Sequence, residues 1–85
     1  LESAAALGAP MVEPLARLMI DSNPAAREGA RQVLFDIVAR ATAPGSDPEI
    51  KKEVGKALKK SIKGNKEREA VDYLRRLYAM VNWGG

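Results

Sequence analysis

Eighty-five residues make one domain, with a core that is thin but feasible, since chains this size bury only about 60–65% of their unfolded surface. Hydrophobic residues at 46% and charged residues at 29% exclude a disordered chain, and the absence of cysteine excludes disulfides and thiolate metal sites. Histidine is also missing, and 14 basic against 11 acidic residues leave a net charge of +3, too mild to demand a polyanionic partner.

Residues 1–10 read as an N-terminal segment carrying a frayed helix from Glu2 to Leu7, stopped by Gly8 and Pro10. Its alanines lack the charged start of a signal peptide, and no run approaches the ~18 apolar residues of a membrane span. From Met11 the pattern sharpens into a single helical domain over residues 11–83. Met11, Leu15, Leu18 and Met19 recur at three- and four-residue intervals, the signature of one helical face. Pro14 suits a first helical turn, so the helix is expected to start near Glu13 or to bend there.

Asp21-Ser22-Asn23-Pro24 ends that helix and starts the next, with Asn23 as cap and Pro24 at the first helical position. In the second helix Ala26, Ala30, Val33, Leu34, Ile37, Val38 and Ala41 form a broad apolar face. Phe35 falls nearly opposite. It reads either as a partly exposed aromatic or, slightly favoured, as one covered by the fourth helix or by another copy of the chain.

Residues 42–48 form a connector dense in turn formers, with Ser46 or Asp47 capping a third helix that opens on Pro48 and Glu49. Ile50, Val54, Ala57, Leu58, Ser61 and Ile62 are its expected buried face. Gly55 inside it costs about 1 kcal/mol relative to alanine, which points to close packing. Gly64 is expected to end this helix in the left-handed conformation and Asn65 to cap a fourth. There Ala70, Val71, Leu74, Leu77, Tyr78 and Val81 face the core, Arg68, Asp72, Arg75 and Arg76 face water, and Tyr73 and Trp83 form amphipathic edges. No segment alternates like a strand. The expected fold is all-α: four antiparallel helices as two helical hairpins, either a short α-solenoid or a small right-handed bundle.

The first helix pair resembles a HEAT repeat. The resemblance is carried by Pro14-Leu15 and Leu18-Met19, Asp21 in the turn, and Pro24, Arg27, Ala30, Leu34 and Ile37 after it, about a third of the chain. It implies a helical-repeat scaffold in which Asp21 and Arg27 link neighbouring repeats through a hydrogen-bonded ladder. Ala26 departs from the larger branched residue usual there, and the second pair lacks the aspartate-turn-arginine pattern. Since solenoids need about three repeats to bury a continuous core, two pairs suggest a piece or cap of a longer array, a closed mini-bundle, or self-association.

Lys52, Lys56, Lys59 and Lys63, flanked by Lys51, Lys60 and Lys66, are the strongest charge feature. They read as a solvated helix face or as a basic stripe for phosphates or an acidic protein surface. No aromatics interleave them as single-strand binding requires, and Glu49, Glu53 and Asp47 dilute the field. Ser22, Ser46 and Ser61 have no histidine to activate them, and the glycines are isolated rather than gathered in a phosphate loop. The expected function is a non-enzymatic, cytoplasmic protein–protein interaction module without cofactor or metal, with Phe35, Lys52, Lys56, Lys59 and Lys63 as candidate surface. Its partner is another protein, further repeats of its own chain, or a second copy, and not a membrane. The alternative is a nucleic-acid-binding helical domain using the third helix.

Overall fold

The computed structural model describes residues 4–83, with side chains over 8–82. It holds four helices: α1 (Ala4–Leu18), α2 (Pro24–Ala41), α3 (Pro48–Gly64) and α4 (Arg68–Trp83). No strand occurs among the described residues. The chain is all-α. Helix α1 packs against both α2 and α3, α3 packs against α4, and α2 meets α3 and α4 more lightly. The two hairpins therefore lie side by side, α1 on α3 and α2 beside α4. The smallest dimension, 17 Å, is that of two helix layers spaced at about 8–10 Å.

One core joins all four helices, and its largest fully enclosed side chains are Val12, Leu34, Val38, Val54, Leu58, Leu74 and Leu77. The faces expected for α3 and α4 are the ones that turn inward. Helix α1 differs from expectation in two ways. It is continuous from Ala4 through Gly8, Pro10 and Pro14, so none of these residues stops the helix. Glu2, where a frayed helix was expected to begin, lies outside the described residues. Each internal proline forfeits a backbone bond at a cost of about 3 kcal/mol. The two lie four residues apart on the exposed side, while the opposite stripe gains about 1.5–3 kcal/mol for each large apolar side chain buried. That stripe is the second difference. Val12, Leu15, Ala16 and Met19 are buried, whereas Met11 and Leu18 stand 48% and 42% exposed. In α2 the core stripe is likewise narrower, because Val33 is 44% exposed.

Glycines allow the close approaches. A Cβ on Gly8 would stand 3.0 Å from Ile37 Cγ2, where α1 meets α2, and one on Gly55 would stand 3.3 Å from Val81 Cγ1, where α3 meets α4. Close packing at Gly55 is thus borne out, while Gly8 is a packing residue and not a helix stop. Gly64 corrects a further expectation: it is the last helical residue and has no positive φ, because Asn65 in extended conformation ends α3. Among the described residues only Gly45, in the α2–α3 connector, has a positive φ, 85°.

Candidate interaction surface

The ends of the helices are fastened by short polar turns. Asn23 accepts from the Ala25 N–H at 2.9 Å, as its place before Pro24 predicts, and Asp47 accepts from the Glu49 N–H at 2.9 Å. Asn65 accepts from the Glu67 N–H at 3.0 Å, an Asx turn leading into α4. Asp21 and Arg27 act within one turn: the Asp21 carboxylate accepts from the Asn23 N–H at 3.0 Å, and Arg27 Nη1 donates to the Asp21 carbonyl at 3.1 Å. This local lock differs from the ladder between repeats that the HEAT resemblance implies for the pair.

Lys52, Lys56, Lys59 and Lys63 all lie on the exposed side of α3. Three of them line a shallow groove of about 470 Å³ between α3 and α4. Lys51, Lys52, Lys56 and Lys59 form one wall, Gly55 with Tyr78 and Val81 forms the floor, and Asn82 closes the far side. Lys63 falls outside it. Lys60 leaves the stripe altogether, reaching 3.8 Å to Glu13 of α1, an exposed pairing that contributes little.

Tyr78, Val81 and Asn82 were missing from the site as read in sequence, because their helix runs beside the lysines only in the folded hairpin. Gly55 carried the available signal. A glycine amid good helix formers marks where a neighbouring helix comes close, and that neighbour supplies the other half of the groove.

Phe35 is not brought to this site. It stands 49% exposed, so α4 does not cover it. One turn earlier α4 approaches α2 instead: Tyr73 Oη donates to the Arg31 carbonyl at 3.0 Å, and the Arg31 guanidinium lies 5.6 Å from the Tyr73 ring centre. Burial pushes the Tyr73 phenol above its ordinary value, against the opposing pull of Arg31, with Glu28 adding to the rise.

A second groove, of about 410 Å³, opens at the junction of the hairpins among Arg27, Glu28, Arg31, Glu67 and Glu69. Its charges nearly balance, so it favours neither sign of ligand. Ser61 Oγ is enclosed without a hydrogen-bond partner and has no base beside it. No three carboxylates gather as a cation site, and no helix is long and apolar enough to cross a membrane, among the described residues. No family model, curated protein or solved structure matches the chain.

Proposed function

We propose that the chain is a non-enzymatic interaction module of helical-repeat type that docks an acidic, partly apolar segment of another protein in the α3–α4 groove. The observation that carries this reading is the groove itself. Lysine ammonium groups stand along one wall of a floor made of Gly55, Tyr78 and Val81. An apolar floor gives a peptide side chain somewhere to bury, and the lysines favour carboxylates around it. A chain without histidine or cysteine has neither the usual general base nor a thiolate nucleophile, which supports a docking role over a reaction. The side-by-side hairpins, α1 on α3 and α2 beside α4, are compatible with two consecutive repeat units as well as with a small bundle.

The test is a titration of the full chain with a labelled amphipathic helical peptide of leucine and glutamate, at about 50 and 300 mM salt. Saturable binding is expected, weaker at the higher salt and abolished in Lys52→Glu/Lys56→Glu/Lys59→Glu. Tyr78→Ala, which removes part of the apolar floor, is expected to weaken binding while leaving the lysines in place. Equal binding by the triple variant, or none by the wild type, sinks the proposal. A duplex of about 20 base pairs bound more tightly than the peptide, with affinity falling steeply in salt, assigns the lysines to phosphates instead.

A further inference from the structure

The α3–α4 groove runs on past its enclosed part, and there it acquires a second charged edge. On α3, Gly55 faces Val81 of α4 and Lys60 faces Glu13 of α1, which fixes the rotation of the helix. At 3.6 residues per turn, Lys52, Lys56, Lys59 and Lys63 fall between those two directions, while Glu49 and Glu53 fall with Lys60 on the α1 side. On α4, Tyr78 faces the groove. Val71 lies about 20° round from it, Asn82 about 40° and Arg75 about 60°, in the sense opposite to the buried Leu74 and Leu77. The hairpin is antiparallel, with Gly55 near both Val81 and Tyr78, so Arg75 stands at the level of Lys59 and Val71 at that of Lys63. Ile62 and Val71, both half-buried, carry the apolar floor on toward Gly64. Asp72 lies about 60° beyond Arg75, on the outer side. The channel thus has lysines along one edge, exposed Arg75 on the other, and no carboxylate on the helical faces between them. The ion pairs among the described residues are Arg40–Asp36 and Lys60–Glu13, so none of these edge cations is engaged.

We infer that the docked segment is a helix with carboxylates along both edges of its apolar stripe, and that Arg75 reads the second edge. This rests on the docking role proposed for the groove. The row from Lys52 to Lys63 covers about 16 Å, or about three turns of a helix. A helix laid along it sets its apolar stripe on Val81, Tyr78, Ile62 and Val71. Residues flanking the stripe on one side meet the lysines. Those on the other meet Arg75, whose planar fork of donors takes a carboxylate through two hydrogen bonds. A nucleic-acid backbone satisfies the cations but brings no apolar stripe to the floor between them.

The test titrates the full chain, at about 50 mM salt, with two labelled helical peptides of about 18 residues on one leucine stripe. One carries glutamate on both edges, the other glutamate on one edge and glutamine on the other. The second can turn its single acidic edge to the lysines by reversing its direction, so it isolates what Arg75 adds. The peptide with two acidic edges is expected to bind about three- to fivefold more tightly, the upper range for an exposed ion pair. Arg75→Gln is expected to erase that preference and Arg75→Glu to invert it, with circular dichroism and melt unchanged because the side chain is exposed. Arg76→Gln, about 100° round and outside the channel, is expected to keep it. Equal binding of the two peptides by the wild type, a preference that survives Arg75→Gln, or one lost equally in Arg76→Gln overturns the inference and leaves the docking role standing. Binding of neither peptide overturns both. A duplex of about 20 base pairs that outbinds both peptides and weakens in Arg75→Gln gives the two edges to phosphates, and overturns the inference as well.

Discussion

The two hairpins solve the same packing problem with different sequences. Each sets a glycine against a side chain of its partner helix, Gly8 against Ile37 in the first and Gly55 against Val81 in the second. Beyond that they diverge. Helices α3 and α4 each have one apolar stripe, and most of the rest is lysine, arginine or glutamate. Helix α1 is apolar nearly all round, and α2 exposes Val33 and Phe35. A helix with one apolar stripe has one way to turn. A helix with two is oriented by its neighbours, so the inward stripe of α1 is set by where α2 and α3 lie.

Despite that difference the enclosed leucines of both hairpins sit in equally dry places, with Leu34 and Leu74 fully buried. Leu34→Ala and Leu74→Ala are each expected to destabilise by about 2–4 kcal/mol, measured by chemical denaturation. A much smaller loss at Leu34 would show the first hairpin to be packed more loosely than the second, and would break the equivalence.

The same contrast explains what could be read from the chain. Number, order and type of helices were legible because turn chemistry is local: Asn23-Pro24 and Asp47-Pro48 announce their helices wherever the rest of the chain goes. The inward faces of α3 and α4 were legible because charge marks the outward ones. Which way α1 faces was not, since Met11 and Leu18 keep the same period as Val12, Leu15 and Met19. Pro10 and Gly8 also misled as stops, because tertiary packing overrode a local preference. Half of the candidate groove was visible as a run of lysines, and the other half, Tyr78 and Val81, arrives only through the fold.

Pro14 sharpens the comparison at its middle magnitude. It sits inside α1 with its ring exposed, so its removal restores a backbone bond without touching the core. Pro14→Ala is expected to stabilise by about 1–2 kcal/mol: the relief of about 3 kcal/mol of helix penalty, less the entropy that proline removes from the unfolded chain. A rise in the melting temperature checks it. An unchanged or lowered melt would mean that α1 is broken at Pro14 and that the first hairpin begins later.

The smallest effect lies between the hairpins, at Tyr73. Its hydroxyl donates to the Arg31 carbonyl, which also serves the helical ladder of α2, so Tyr73→Phe strands no buried acceptor. The expected cost at pH 7 is therefore at the low end for a hydrogen bond, about 0.5–1 kcal/mol. The phenol's value is raised above 10.0, chiefly by burial, so the folded state favours its neutral form. A group raised in this way contributes its full stability below the ordinary tyrosine value and loses it as pH climbs through the folded one. The gap between wild type and Tyr73→Phe should accordingly hold steady from pH 7 to about 9 and close above pH 10. A gap that widens in alkali would mean that the ionised phenol is the form held in the folded state, with Arg31 as its partner, and the two hairpins would then be joined by charge rather than by a neutral hydrogen bond.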